Sequence, residues 1–211
     1  MCGDAERGAV PTRRDLIAAA ALAAAPLAGC AGNGGDAGTS PGAAVTVAPD
    51  PGTPALEAPT LASPAFGDGE PIPEEYTCSG ADRSPPLSVS AVPPEAETLA
   101  LVMDDPDAGA TPYVHWLVWG VPVDRTEWPA GVPEGRRVDE LGGAQGTNSR
   151  GTVGYVGPCP PPDDGAHTYR FGLYALGSSL GLDPGAERSA VESAIGDARY
   201  GVATLRGTYD R

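Results

Sequence analysis

The chain has 211 residues, enough for one packed domain with appendages, and 41% of them are apolar, so a buried core can form. Acidic residues outnumber basic ones 28 to 13, giving a formal charge of −15, and the sequence contains no lysine. That balance excludes nucleic acid as an expected partner and fits a protein that works in concentrated salt, where self-repulsion is screened.

Residues 1–29 read as an export signal. Arg13 and Arg14 stand directly before the apolar stretch Leu16 to Ala28, which is too short to span a bilayer as a helix of about 20 residues. Paired arginines at this place resemble the twin-arginine signal. The stretch ends in "LAGC", Leu27 to Cys30, which resembles a lipobox whose cysteine is lipidated and becomes the first residue of the mature protein. Residues 30–60 then form a linker of Gly, Ala, Thr, Ser, Asp and Pro with almost no side chains for a core. These features place the protein outside the cytoplasm, anchored to the outer face of the cell membrane.

Residues 61–211 read as one domain. Leu99 to Met103, Val114 to Val121, Tyr169 to Leu176 and Val202 to Leu205 are strand-length apolar runs bounded by Gly, Pro and Asp. The run "VHWLVWGV" is apolar at nearly every position, as in a central strand covered on both faces. One helix is expected, with Asp183 as N-cap, Pro184 in the first turn, Val191, Ala194, Ile195 and Ala198 on one face, and Gly201 just past its end. The pattern predicts a mainly β chain, a two-sheet antiparallel β-sandwich with a C-terminal helix.

Two stretches carry the polar chemistry. "DDPDAGATPYVHW", residues 104–116, runs from a strand through a turn into the next strand, which brings Asp105, Asp107 and His115 to one end of a sheet. "GPCPPPDDGAHTY", residues 157–169, repeats the design: Gly157 and Pro158 open a loop, and His167 and Tyr169 start a strand with their side chains on the same face. Read singly, each residue is ordinary turn or core chemistry.

Taken together, "DPDAG" with "HW", then "GPCPP" with "HTY", resemble the phosphatidylethanolamine-binding protein family in its YbhB/YbcL-type, Raf-kinase-inhibitor-like branch. "YTCSGADRSPPL", "GTNSRGTVGY" and the closing "LRGTYDR" match in the same order. The resemblance implies a β-sandwich with a small anion pocket lined by Asp105, Asp107, His115, Gly157, Pro158, His167 and Tyr169. Imidazole N–H groups, a phenol and loop amides are donors suited to phosphate, and the carboxylates orient the histidines or meet the ammonium of a zwitterion such as phosphoethanolamine. Two departures stand out. The family's usual "DPDAP" has Gly109 here, and an acidic "PPDDG" sits beside His167.

No metal centre or cofactor is expected, because the "HxH" and "HExxH" spacings are absent. No "GxSxG" nucleophile elbow is expected and neither histidine precedes an obvious reactive serine, so a serine hydrolase is not expected either. Cys78 and Cys159 stand as a disulfide or as two free thiols, both in loops that the resemblance brings near the pocket. The function expected is non-enzymatic binding of a small anionic ligand or phospholipid head group, with the membrane as a second partner through the anchor. The alternative, from another class, is inhibition of a protease or kinase through protein–protein contact.

Overall fold

The computed structural model describes residues 58–211, so the signal, Cys30 and nearly all of the linker lie outside the described residues. In chain order the elements are β1 (Thr60–Ala62), β2 (Glu70–Pro71), β3 (Leu87–Ser90), β4 (Thr98–Asp105), β5 (Tyr113–Pro122), β6 (Glu127–Trp128), β7 (Arg137–Val138), β8 (Gly143–Gln145), β9 (His167–Leu176), α1 (Arg188–Ala198) and β10 (Arg199–Tyr209). Seven strands form one sheet in the order β2-β10-β9-β4-β5-β8-β7, and three form the other in the order β1-β3-β6. All pairings are antiparallel except the short contact of β2 with β10.

Side chains alternate along a strand, so each long strand feeds two cores. Leu99, Leu101 and Met103 of β4, Phe171 and Leu173 of β9, and Trp116 and Val118 of β5 meet Leu61, Leu87, Val89 and Trp128 between the sheets. Ala100, Val102, Leu117, Trp119 and Leu176 face the other way and are covered by Val191 and Ile195 of α1. A strand covered on both faces is apolar at consecutive positions, which explains the run in β5. Truncating a fully buried residue such as Leu101 to alanine costs about 2–5 kcal/mol.

Two bulges break the alternation in β5. The register passes from Ala100↔Trp119 to Leu99↔Val121, leaving Gly120 extra, and from Met103↔Trp116 to Asp104↔Val114, leaving His115 extra. Gly120 takes φ +73°, a left-handed conformation that glycine adopts without steric cost. At the other bulge the unpaired residue is a histidine at the end of the sheet, where a bulge re-aims a side chain.

The helix starts four residues later than the sequence pattern predicts. Its N-cap is Glu187, not Asp183. Residues 183–186 instead form a turn in which Ala186 N–H donates to Asp183 O, while Gly185 N–H donates to Gln145 O and Ala186 O accepts from Thr147 N–H. These bonds to a distant segment hold the turn out of helical geometry. The far end differs too: α1 runs directly into β10 through extended Arg199, and Gly201 falls within β10 beside a register shift rather than capping the helix.

Candidate functional site

β4, β5 and β9 bring their chemistry to one end of the large sheet. Asp105 ends β4 on the same face as Met103, His115 is the bulged residue of β5, and His167 and Tyr169 begin β9. A cavity of about 330 Å³ opens there. Its polar lining includes Asp105, His115, Arg150, Asp164 and His167, and Ala108, Val156, Pro160 and Pro161 supply apolar wall.

The two imidazoles are held by their Nδ1 atoms. His115 Nδ1 lies 2.7 Å from the Val156 carbonyl oxygen, and a carbonyl can only accept, so Nδ1 carries the proton. His167 Nδ1 lies 2.7 Å from Asp105 Oδ2, which fixes that ring in the same tautomer. Each ring therefore has Nε2 left over: an acceptor while the ring is neutral, a donor once it is protonated. Burial pulls the His115 imidazole below its ordinary range, with the Val156 carbonyl and then Asp105 partly offsetting it. Asp105 thus serves His167 as direct partner and reaches His115 only as a nearby charge.

Tyr169 lies behind the histidines. Its ring meets His115 edge-on with centroids 5.2 Å apart and stacks along His167 at 6.5 Å. The side chain is fully buried, and its hydroxyl finds no hydrogen-bond partner among the described residues. Burial first, then Asp105 and Asp107, push the phenol up, so it stays a donor.

The carried-over residues divide into those at the cavity and those that hold its walls. Asp105, His115, Gly157 and His167 line it, while Asp107, Pro158 and Tyr169 do not. Asp107 Oδ2 accepts from Thr168 N–H at 2.8 Å and its own N–H donates to Asp105 Oδ1 at 2.8 Å, which ties the turn to β9 and orients Asp105. Pro158 O accepts from Cys78 N–H at 3.1 Å, beside the disulfide that joins Cys78 to Cys159.

The idea that loop amides face a ligand needs correction at Gly157. Its N–H donates to Asp82 Oδ1 at 2.6 Å, and Val156 N–H donates to His115 O. Gly157 is instead required by close packing, since a Cβ there would come within 2.7 Å of Tyr76 O. Arg150 also lines the cavity although the sequence does not single it out within "GTNSRGTVGY", and so does Asp164, from the acidic "PPDDG" beside His167. Asp164 Oδ2 is 4.0 Å from His167 Nε2, which places the acidic departure from the family pattern at the mouth of the cavity.

The expectation that no "GxSxG" spacing occurs is corrected by Gly177–Gly181, which reads "GSSLG", the letters of a nucleophile elbow. It follows the end of β9 opposite to His167 and makes no strand-turn-helix, so Ser179 meets neither histidine. No cluster of three metal-ligating side chains occurs among the described residues.

A two-sheet β-sandwich whose strand ends enclose a small polar cavity is the architecture of a ligand-binding module. Residues 62–210 match the family model for phosphatidylethanolamine-binding protein, and the chain belongs to that family. It is 43% identical over 201 residues to LppC of Mycobacterium tuberculosis, a protein named provisionally as a lipoprotein, covering 93% of this chain and 96% of that one. It is 46% identical over 151 residues to a UPF0098 protein of Methanothermobacter thermautotrophicus, covering 72% of this chain and 98% of the relative. Among solved structures, YbcL of E. coli, described as a new member of the mammalian PEBP family, superposes with a TM-score of 0.67 at 26% identity. That match covers 72% of this chain and 98% of YbcL.

Proposed function

We propose that the domain is a non-enzymatic binding module that takes a small anionic ligand, a phosphate ester or phospholipid head group, in the cavity at the end of β4, β5 and β9. The observation that carries this reading is the pair of imidazoles in the cavity wall whose Nδ1 atoms are both occupied, which leaves Nε2 of each ring for a ligand. Once protonated, each ring offers one Nε2–H and one positive charge. The opposed Asp164 gives the ammonium of a zwitterion a place at the mouth.

The likeness to LppC along nearly the whole chain supports a lipid anchor at Cys30 behind a flexible linker. No helix among the described residues is long and apolar enough to cross a membrane. On this reading residues 1–29 are removed, residues 30–60 are the tether, and residues 61–211 face outward from the membrane. A single acyl chain holds only marginally, so stable anchoring uses more than one.

Calorimetric titration of phosphoethanolamine and phosphate at pH 5.5 and 8 tests the pocket. Losing a charge-assisted hydrogen bond costs about 1.5–3 kcal/mol, so His115→Ala or His167→Ala should weaken binding about tenfold to a hundredfold at pH 5.5. Tyr169→Phe should cost less, because the phenol lies behind the histidines and does not line the cavity. If both histidine variants bind like the parent at both pH values, the cavity is not the site.

A further inference from the structure

Among the residues that line the cavity, Arg150 supplies the single guanidinium, against the two carboxylates of Asp105 and Asp164. Its place is built rather than incidental. Buried Asn148 accepts from the N–H groups of Arg150 and Thr152 through Oδ1, at 3.0 and 3.2 Å, and donates from Nδ2 to Gly154 O at 3.0 Å. The neighbouring Ser149 locks the same turn onto β5: its N–H donates to Val114 O at 2.9 Å, and its Oγ accepts from Val114 N–H at 2.8 Å. Val114 precedes His115, so Arg150 is fixed on the His115 side of the mouth. Asp164, three residues before His167, stands on the other side.

The guanidinium is held only by one long, half-exposed ion pair. Among the described residues it makes no hydrogen bond, and its nearest carboxylate oxygen, Asp82 Oδ2, lies 3.6 Å away. Asp82 already holds the Gly157 N–H with its other oxygen. With side chains 49% and 35% exposed, this ion pair contributes little to stability. A planar fork of five N–H donors on an ordered turn, open toward a cavity, matches a carboxylate in two parallel hydrogen bonds.

We infer that Arg150 is a second anion anchor at the mouth, so that the site prefers a phosphate ester that also carries a carboxylate, the chemistry of a serine phosphate, over phosphoethanolamine. The inference rests on the proposed binding of the phosphate at the histidines. O-phosphoserine and phosphoethanolamine share the phosphate and the ammonium and differ by one carboxylate, so comparing them isolates the group that Arg150 would hold. The same chemistry occurs free and as the head group of phosphatidylserine.

Isothermal titration of the mature domain with the two compounds, in one buffer, is the test. The parent should bind O-phosphoserine about tenfold tighter than phosphoethanolamine, as one charge-assisted interaction predicts. Arg150→Met should bring the two affinities within about twofold of one another, and Arg150→Lys, which keeps the charge without the fork, should restore only part of the difference. Equal affinities in the parent, or a preference that survives in Arg150→Met, would overturn the inference while leaving the phosphate pocket standing. If the parent binds neither compound, the pocket reading fails first and this inference with it. Vesicles with equal fractions of phosphatidylserine or phosphatidylethanolamine separate the sources. A preference for phosphatidylserine vesicles that Arg150→Met abolishes identifies a lipid head group, and equal vesicle binding beside a retained O-phosphoserine preference identifies a free ligand.

Discussion

Asp105 Oδ2 and His167 Nδ1 lie 2.7 Å apart with both side chains nearly excluded from solvent, although the two residues are 62 positions apart in the chain. The pair exists because β4 and β9 are adjacent and antiparallel, which brings the end of one to the start of the other. Asp105→Asn keeps the shape but removes the charge, and its Oδ1 and Nδ2 can no longer accept from both His167 and the Asp107 N–H. The variant should lose about 1–3 kcal/mol of stability in urea denaturation, and phosphate should bind more weakly at pH 5.5, because the His167 ring loses the acceptor that fixes its orientation. Unchanged stability together with unchanged affinity would show that this pair orients nothing.

His115 makes binding a proton-coupled event. Burial lowers its imidazole below the unfolded value of about 6.5, so between the two values the folded protein binds fewer protons than the unfolded chain. Stability from this group is therefore full above pH of about 6.5 and falls as pH drops toward the folded value. An anion at Nε2 acts in the opposite sense and draws a proton onto the ring. Titration of phosphate at pH 7 in two buffers of different ionisation enthalpy should reveal proton uptake, reduced in His115→Gln. Identical heats in both buffers would mean that the ligand is held without protonating the ring.

The sequence disclosed those parts of the site that follow from local periodicity. His167 and Tyr169 share a face because β9 has no bulge between them, and the double cover of β5 shows in its unbroken apolar run. His115 was placed at the strand entrance, but its presentation depends on an extra residue opposite β4, and a bulge leaves no mark in an apolar count. The helix start is not legible in the sequence because hydrogen bonds from Gly185 to Gln145 and from Thr147 to Ala186, both long-range, hold the preceding turn. Arg150 looked like any surface arginine on a turn. Only the fold shows that the turn is locked beside His115. Likewise the acceptor of the Gly157 N–H comes from Asp82, 75 residues away, which no local pattern announces.

Location follows from residues outside the described domain and is testable apart from binding. Replacing Arg13 and Arg14 with lysine should leave precursor in the cytoplasm, whereas Cys30→Ser should move the protein from the membrane fraction to a soluble or uncleaved form. Membrane fractionation unaffected by Cys30→Ser would count against lipidation and would leave the pocket argument untouched.

The disulfide between Cys78 and Cys159 should govern stability more than binding. It closes a loop with a sequence separation of 81, for which the chain-entropy model gives about 4 kcal/mol, and engineered bridges often deliver less. At about 2–4 °C per kcal/mol for a domain of this size, the double Cys→Ser variant should melt about 10 °C lower. Cys159 also borders the cavity, so loss of the bridge would be expected to open that wall. Three hydrogen bonds oppose this: Tyr155 O–H to Tyr76 O, Gly157 N–H to Asp82 Oδ1 and Cys78 N–H to Pro158 O join the same two segments without the sulfur atoms. Below the melting transition they should keep the wall in place, and phosphate affinity at 25 °C should fall by less than about tenfold, the factor that 1.4 kcal/mol represents. A variant that melts like the parent would show that the bridge does not stabilise the fold. One that stays folded at 25 °C but loses phosphate binding would show that the bridge, not the hydrogen bonds, shapes the cavity.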